Sequence, residues 1–507
     1  MTAPTERGSI FADILRYRYE NGMSDTLNKL KLNVARGEFV GLMGRTGSGK
    51  TTSLMLLNGL IPHFFEGEFE GEVYANTMNT SRYRVQTMAR FVGLVMQDPE
   101  TQIFGITVEK DVAFGPSNLG YSKEKILGLV KTSLKAVGLQ GYENRLTAEL
   151  SGGEKQRLTI AGVLAMEPEI LILDEPTSEL DPAGKVEIYQ LLIELRKSQQ
   201  VTILISGHDS EEMLHYTDRI LVLDNGSIAW DGKPENLFYN TTITEKYGIR
   251  SLEADGIKQK NIIKKDRKNT DTNIVIESRN LSFKYQNGYP ALHNINVKIN
   301  NGEFVALIGK NGAGKTTFSK HLNGLLRPSE GQILINGRDI KDMTTAELSK
   351  DVGYVFQNPD HQIFAATVRE EIEYGLKNQS LSDDVREKRI LDALEFVGLE
   401  KFKERHPFTL GKGERQKLAV ATILAMEPGI LVIDEPTTGQ DWDNTQKMIL
   451  MMENLHRKGH TILAITHNMR LAEEYADRII VFSEGKILHD SVPIELIKNI
   501  QGEINAN

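Results

Sequence analysis

The most informative segment of the sequence is Gly44-Arg45-Thr46-Gly47-Ser48-Gly49-Lys50-Thr51-Thr52. It matches GxxxxGK[ST], in which glycines let backbone N–H groups surround phosphate oxygens, the lysine meets the β and γ phosphates, and the next hydroxyl binds Mg²⁺. A second copy reads Gly309-Lys310-Asn311-Gly312-Ala313-Gly314-Lys315-Thr316-Thr317. Each copy follows an apolar run, which predicts a strand that leads into the anion-favouring N-terminus of a helix. The sequence therefore predicts two phosphate sites.

The chain is organised as a repeat. Lys50 and Lys315 lie 265 residues apart, and later features return at nearly the same offset. We therefore predict one domain over residues 1–248, a linker over 249–273 and a second domain over 274–507. Between Glu253 and Thr272 the chain carries six Lys or Arg against four Asp or Glu without apolar periodicity, which is typical of a solvated linker.

Composition excludes several classes of function. The formal net charge of −9 argues against a broad nucleic-acid-binding surface, so no nucleic-acid partner is predicted. The absence of cysteine excludes disulfides, zinc-thiolate sites and thiol catalysis, and it agrees with a cytosolic protein. No apolar run approaches the ~20 residues that span a bilayer, and the N-terminus lacks a signal-peptide core. Any membrane association is therefore predicted to go through a partner.

Paired carboxylates follow two further apolar runs. Residues 170–173 and 430–433 are the short continuous apolar segments expected of parallel strands that are buried on both faces. Asp174-Glu175 and Asp434-Glu435 follow them, at the strand ends where such sheets bind ligands.

The sequence also predicts a strand face of Leu15, Tyr17 and Tyr19 that ends at Asn21-Gly22. Helical stripes are predicted to be core; their members are Ile126, Leu127, Val130, Leu134 and Val137, and Val385, Ile390, Leu394 and Val397.

Together with LSGGE at Leu150 to Glu154, ILILDEP at Ile170 to Pro176 and LVIDEP at Leu431 to Pro436, these motifs resemble those of the ATP-binding cassette (ABC) ATPases. The resemblance covers almost the whole chain. It implies an α/β fold of two ABC-type P-loop nucleotide-binding domains, each with a parallel-sheet core, an antiparallel edge sheet and a helical subdomain. It also implies an enzyme that hydrolyses ATP with Mg²⁺ and couples the hydrolysis to transport.

The resemblance assigns roles to individual positions. Mg²⁺ would be held by Thr51, Gln97 and Asp174 in the first copy, and by Thr316, Gln357 and Asp434 in the second. The catalytic set adds Glu175 and Glu435, which would polarise the attacking water, and His208 and His467, which would contact the γ-phosphate. Tyr19 and Tyr285 would stack on adenine. The signature residues that would bind ATP are Ser151, Gly152, Gly153, Gly411, Lys412 and Gly413.

The second signature departs from the family pattern. Glycine stands at position 411 where the first copy has Ser151, and Lys412 replaces a glycine. Ser151 and Glu154 also fit a capping box. The family packs its two halves head to tail, with each ATP between one phosphate loop and the other half's signature. The Lys315 site would then have the Ser151 signature, and the Lys50 site the altered one. We therefore predict that the Lys315 site hydrolyses ATP faster.

A loop in each copy resembles one particular group within the ABC ATPases. The stretches Gln97 to Phe104 and Gln357 to Phe364 are nearly the same text and resemble the energy-coupling factor (ECF) importers of vitamins and cobalt. That resemblance implies grooves for helices of a transmembrane scaffold subunit, a second membrane subunit that captures substrate, and a place on the cytoplasmic face of the membrane. Two alternatives stay open, the tandem ATPase of a sugar importer and a ribosome-associated ABC protein. The short linker argues against the second.

Overall fold

The computed structural model describes residues 9–20, 22, 24–178, 180–253, 273–286, 288–377 and 379–493. The predictions for Asn21 and for most of the linker lie outside these residues. The chain divides into two compact units, Met1–Asn261 with Asp441–Asp443, and Ile262–Gln440 with Asn444–Asn507.

Among its described residues, the first unit contains ten strands and ten α-helices. The strands are β1 (Ile10–Tyr19), β2 (Leu27–Val34), β3 (Phe39–Met43), β4 (Gly67–Ala75), β5 (Met78–Asn79), β6 (Val92–Val95), β7 (Ile170–Leu173), β8 (Thr202–Ser206), β9 (Arg219–Asp224) and β10 (Ser227–Gly232). The helices are α1 (Lys50–Leu57), α2 (Leu60–His63), α3 (Val85–Met88), α4 (Val108–Asn118), α5 (Lys123–Ala136), α6 (Gly152–Leu164), α7 (Pro182–Gln199), α8 (Ser210–Tyr216), α9 (Pro234–Phe238) and α10 (Thr241–Tyr247).

Two sheets organise this unit. The larger has the order β10-β9-β3-β8-β7-β6, and its pairs are parallel except for β9 with β10. The smaller is antiparallel, with the order β2-β1-β4-β5. Strands β3, β7 and β8 are buried along their whole length, as their continuous apolar sequences predict. Their carboxyl ends therefore meet at one edge of the sheet, beside the start of α1.

The second unit repeats this plan. Its strands are β11 (Ile274–Lys284), β12 (Pro290–Asn300), β13 (Phe304–Ile308), β14 (Glu330–Ile335), β15 (Arg338–Asp339), β16 (Val352–Val355), β17 (Ile430–Asp434), β18 (Thr461–Ile465), β19 (Arg478–Ser483) and β20 (Lys486–Ser491). Its helices are α11 (Lys315–Leu322), α12 (Thr345–Asp351), α13 (Val368–Leu376), α14 (Asp383–Val397), α15 (Lys412–Ala425), α16 (Trp442–Arg457) and α17 (Met469–Tyr475). The sheet orders are β16-β17-β18-β13-β19-β20 and β12-β11-β14-β15.

The predicted α/β class, with a parallel core, an antiparallel edge sheet and inserted helices, is confirmed in both units. One prediction for a strand face and two predictions for core side chains were wrong. Leu15 is exposed because a register shift between Ile14 and Arg16 in β1 interrupts the alternation of its faces. Leu127 and Val385 are also exposed, since each lies in the first turns of its helix, ahead of the residues that pack into the core. Within the described part of the chain, no helix combines the length and apolarity that crossing a membrane requires.

Candidate nucleotide site

Each phosphate loop lies between a central strand and the first turn of a helix, β3 and α1 in the first unit and β13 and α11 in the second. The Lys50 ammonium donates hydrogen bonds to the carbonyl oxygens of Gly44 and Arg45, at 2.9 and 3.2 Å. Lys315 repeats this with Gly309 and Lys310, at 2.6 and 3.0 Å. Each lysine is thus folded over its own loop.

The glycines of the loops are required by the backbone. Gly44 and Gly309 both have φ of 147°, and an added Cβ would lie 2.1 Å from the Leu223 carbonyl oxygen or 2.2 Å from that of Phe482. At Gly47 and Gly312 φ is +80° and +77°, and a Cβ would have no neighbour within 4 Å. The first pair therefore allows close packing of the loop on the sheet, while the second pair faces open space that could receive a ligand.

The aspartates and threonines assigned to the metal are neighbours. The Thr51 hydroxyl donates to Asp174 Oδ2 at 2.6 Å, and Thr316 reaches Asp434 Oδ1 at 3.5 Å. No group of three or more His, Cys, Asp or Glu side chains in the described ranges is arranged to hold a metal. One carboxylate and one hydroxyl per site nevertheless fit Mg²⁺, which takes one or two protein carboxylates and completes its shell with phosphate oxygens and water.

Glu175 is held by two side chains to which the family resemblance gives roles in the site, Gln97 and His208. Gln97 Nε2 donates to Glu175 Oε2 at 2.8 Å, and His208 Nε2 lies 2.9 Å from Glu175 Oε1. The Glu175 backbone N–H donates to the Ser206 hydroxyl at 2.9 Å, and its φ is +47°. This left-handed conformation, which is uncommon for a glutamate, turns the chain sharply at the end of the strand.

The second unit holds its glutamate differently. The Thr438 hydroxyl donates to Glu435 Oε2 at 3.1 Å, and His467 Nε2 lies 3.2 Å from Glu435 Oε1. His467 Nε2 also lies 3.0 Å from Asn311 Oδ1 in the phosphate loop. Gln357, the counterpart of Gln97, is exposed. The two copies therefore bring together the same histidine and glutamate, but different third partners.

Burial dominates the electrostatics of both sites. It raises the pKa of Asp174 and of Asp434, because the charged carboxylate loses solvation, while hydrogen bonds from nearby hydroxyls oppose the shift. Burial, with the neighbouring Asp434 charge, raises the pKa of Glu435 to about 7. Burial lowers the pKa of Lys50, against the opposing charges of Glu175 and Asp174. A carboxyl with a pKa near neutrality is suited to act as a general base.

The raised pKa of Glu435 predicts a pH-dependent stability in the ligand-free protein. The protonated carboxyl contributes stability that is complete below the pKa of the unfolded chain and is lost as the pH rises through about 7. Glutamine does not ionise, so the unfolding free energy of Glu435→Gln relative to wild type is expected to rise by about 2 kcal/mol from pH 5 to pH 8. Denaturant melts at the two pH values measure this. An unchanged difference would contradict it.

The two tyrosines assigned to adenine lie beside the phosphate loops. The Tyr19 hydroxyl is 3.0 Å from Thr52 Oγ1, and the Tyr285 hydroxyl is 2.9 Å from Thr317 Oγ1. Tyr19 contacts Tyr17 edge to face at 5.0 Å between ring centroids. The rings therefore stand next to the first turn of the helix that follows each loop.

The two signatures begin α6 and α15. The Ser151 hydroxyl accepts the Glu154 N–H at 3.4 Å, and Glu154 Oε2 accepts the Ser151 N–H at 2.8 Å, which confirms the predicted capping box. Gly411 has no side chain, so only the reverse bond remains, from the Gly411 N–H to Glu414 Oε2 at 2.9 Å. Gly152, Gly153, Lys412 and Gly413 form the first turns of these helices.

The loops that follow Gln97 and Gln357 are fixed by carboxylates that the sequence reasoning missed. Asp111 Oδ1 accepts the N–H groups of Phe104 and Gly105, both at 2.8 Å. In the second unit Glu371 Oε2 accepts those of Phe364 and Ala365, at 2.9 and 2.7 Å. Both carboxylates are buried in helices. An acidic residue seven positions after the phenylalanine in both copies was the available signal.

Each fixed loop presents an exposed pair of aromatic side chains. Phe104 is 69% exposed and stacks on Phe114 at 5.6 Å between centroids, and Phe364 is 61% exposed and meets Tyr374 edge to face at 4.5 Å. In the first unit the pair lines a groove of about 610 Å³ between α3, α4 and α6. Other residues that line this groove include Arg90, Gln102, Asn118 and Met166.

Comparison with known proteins gives consistent matches. The sequence profile described as ABC transporter matches residues 27–178 and 292–438. A protein of Caldanaerobacter subterraneus subsp. tengcongensis, provisionally named an ABC transporter ATP-binding protein, is 39% identical over 93% of this chain and 89% of its own length. One of Methanosarcina acetivorans with the same provisional name is 39% identical over 96% of this chain and 86% of its own length. Among solved structures, cbiO1 of Clostridium perfringens, described as part of the ABC transporter complex cbiONQ, is 32% identical over 46% of this chain and 96% of its own, with a TM-score of 0.42.

Proposed function

Since the chain belongs to the family of ABC transporter ATP-binding proteins, we propose that it energises a membrane importer of the ECF type for a vitamin or a transition metal. The chain binds ATP with Mg²⁺, hydrolyses it, and serves as the ATP-binding subunit of a transporter.

We propose the following division of work within each site. The phosphate-loop glycines and lysine bind the phosphates, and Thr51 with Asp174, or Thr316 with Asp434, holds Mg²⁺. Mg²⁺, when bound, neutralises charge that develops on the phosphate oxygens. Glu175 and Glu435 orient and polarise the attacking water, while His208 and His467 hold the glutamates and meet the γ-phosphate.

We propose that Gln97 couples changes at the ATP site to the position of the groove residue Phe104. The side-chain amide of Gln97 donates a hydrogen bond to Glu175. Seven residues later in the chain, the Phe104 N–H donates a hydrogen bond to Asp111. A short segment with fixed ends transmits displacement better than a loose loop does. Loss of the hydrogen bond between Gln97 and Glu175 would therefore displace Phe104.

The observation that carries the ECF proposal is the shared loop and its exposed aromatic pair. Two exposed apolar rings beside a groove are suited to the apolar face of a partner helix. We propose that coupling helices of one transmembrane scaffold subunit bind at Phe104 and Phe364, and that a separate small membrane subunit captures the substrate. The chain would then lie on the cytoplasmic face of the membrane through these partners. ATP bridging the two halves would drive the closure that moves them.

Purification of the tagged chain from detergent-solubilised cells tests this proposal. We expect one polytopic membrane protein and one small hydrophobic subunit to copurify with it. Phe104→Asp combined with Phe364→Asp is expected to reduce their recovery at least tenfold, because the charges would have to be desolvated in the interface. Leu488→Asp is the matched control, since Leu488 is 61% exposed but lies in β20, outside the aromatic pairs. Quantitative mass spectrometry of the eluates measures the recovery.

Three outcomes would overturn the proposal. Recovery of ribosomes would move the function to translation. Recovery of no membrane protein would remove the importer. A membrane subunit retained equally by the double variant and by Leu488→Asp would show that the grooves are not where it binds.

A further inference from the structure

The two aspartates assigned to Mg²⁺ occupy matched positions but are held by different hydroxyl groups. Ser206 Oγ, on β8, donates to Asp174 Oδ1 at 2.5 Å. In the second unit the phenol of Tyr354, on β16, donates to Asp434 Oδ2 at 3.1 Å. Ser206 and Tyr354 are both buried, with exposed fractions of 1% and 5%. One aspartate is therefore held from the strand on one side of it, and the other from the strand on the opposite side.

Strand register shows that this difference is a reciprocal exchange. Val95 pairs with Leu173, and Val355 pairs with Ile433, so the first-unit counterpart of Tyr354 is Leu94. On the other side Leu173 pairs with Ile205 and Ile433 with Ala464, so the second-unit counterpart of Ser206 is Ile465. Each unit thus has one hydroxyl and one aliphatic side chain at these two positions.

The phenol is itself fixed by a further buried hydroxyl. Ser319 Oγ lies 3.0 Å from the Tyr354 oxygen and 3.0 Å from the backbone carbonyl oxygen of Thr316. An ionised Asp434 only accepts, so Tyr354 donates to it, and the Ser319 proton is shared between the phenol oxygen and the carbonyl. Asp434 is in this way connected to the helix turn that carries Thr316. The corresponding first-unit position of Ser319 is Leu54, so this connection belongs to the second unit.

We propose that Tyr354 is a positioning residue for Mg²⁺ at the second ATP site, where it takes the part that Ser206 plays at the first. This rests on the proposed assignment of Asp434 to the metal. The phenol binds Oδ2 and so directs Oδ1 toward Thr316 and the metal position. Second-layer hydrogen bonds of this kind orient a ligating carboxylate without touching the metal. Ser319 supports the phenol.

Mn²⁺ binding, followed by electron paramagnetic resonance with a non-hydrolysable ATP analogue, tests the inference without relying on turnover. The full-length chain is used with Asp174→Asn, which removes the first metal site and leaves one Mn²⁺ per chain. In this background Tyr354→Phe is expected to weaken Mn²⁺ binding about tenfold. Tyr189→Phe is the matched control, since it removes a buried phenol hydroxyl on α7 of the first unit, where the ring stacks on Tyr216, and it is expected to leave Mn²⁺ binding unchanged.

Transfer of the first unit's arrangement gives a rescue. Tyr354→Leu alone is expected to weaken Mn²⁺ binding as Tyr354→Phe does, and adding Ile465→Ser is expected to restore part of it. Nucleotide binding in EDTA is measured in parallel and should be the same for all variants. If Tyr354→Phe lowers metal-free nucleotide binding by the same factor, or leaves Mn²⁺ binding unchanged, the inference is overturned. If Asp174→Asn does not reduce the number of bound Mn²⁺, the proposed metal assignment fails instead.

Discussion

ATP turnover of the Glu435→Gln variant is expected to fall about 10- to 100-fold, because glutamine cannot act as the general base of the Lys315 site and only the slower Lys50 site then remains. ATP turnover of the Glu175→Gln variant is expected to fall less than about tenfold relative to wild type. Glutamine keeps the shape of the side chain and removes its ability to take or polarise a proton. Steady-state phosphate release with saturating Mg²⁺ and ATP measures both variants.

The reason for the difference lies in the signatures. The family resemblance assigns the Ser151 signature to the ATP of Lys315, and the Gly411 signature to the ATP of Lys50. Ser151 offers a hydroxyl at a capped helix N-terminus, whereas Gly411 offers only backbone. Loss of a hydrogen bond to a charged phosphate costs ~1.5 to 3 kcal/mol, about 10- to 100-fold in rate. The Lys315 site should therefore carry most of the turnover.

A restoring substitution tests the same explanation from the other side. In the Glu435→Gln background the remaining turnover comes from the Lys50 site, so Gly411→Ser is expected to raise it severalfold. Lys412→Gly in that background separates the charge of the lysine from the missing hydroxyl. The asymmetry is refuted if Glu175→Gln lowers turnover as much as Glu435→Gln, or more.

The Gly309→Ala variant is expected to be the least stable single variant of the second phosphate loop. Its methyl group would lie 2.2 Å from the Phe482 carbonyl oxygen, and φ of 147° is strained for any residue with a Cβ. Because β19, which carries Phe482, is a buried strand of the sheet, the backbone has little freedom to move away. We expect a loss of roughly 3 kcal/mol or more, a fall of about 6 °C in the unfolding midpoint.

Gly312→Ala is the matched control within the same loop. A methyl group there has no neighbour within 4 Å, so the cost is limited to the left-handed φ of +77°. That cost is about 1 kcal/mol. Differential scanning calorimetry of both ligand-free variants measures the comparison. Equal midpoints for the two variants would show that the contact with Phe482 does not govern the stability of the loop.

The sequence was sufficient for features that depend on local pattern. The phosphate loops are glycine spacings between a strand and a helix, so Gly44 to Thr52 identified both the fold and the position of the site. The buried strands that carry Asp174 and Asp434 were equally clear, because continuous apolar runs of four residues fit few other structures. The capping box of Ser151 also needed no tertiary information.

The features that the sequence could not predict depend on contacts between distant segments of the chain. Leu15 followed the alternation of a regular strand, and a register shift that pairing across strands decides moved it outward. Tyr354 looked like an ordinary strand residue, since its partner Asp434 lies 80 residues away in sequence. Asp111 and Glu371 belong to no motif, and each accepts two N–H groups from a loop that only the fold brings to it. Such partners are chosen by the topology of the sheet, which a single sequence does not display.

The exchange of hydroxyl positions around the two aspartates limits recombination between the repeats. Consider a hybrid that takes β6 from the first repeat and β8 from the second. Leu94 and Ile465 would then lie on the two sides of the aspartate, which would have neither the serine nor the tyrosine hydroxyl. The opposite crossover would place Tyr354 and Ser206 around one aspartate and crowd it. Either hybrid changes the hydrogen bonds of an aspartate that we propose as a magnesium ligand. Each aspartate is therefore matched to a hydroxyl of its own repeat, and an exchange of these strands between the repeats is expected to weaken the site.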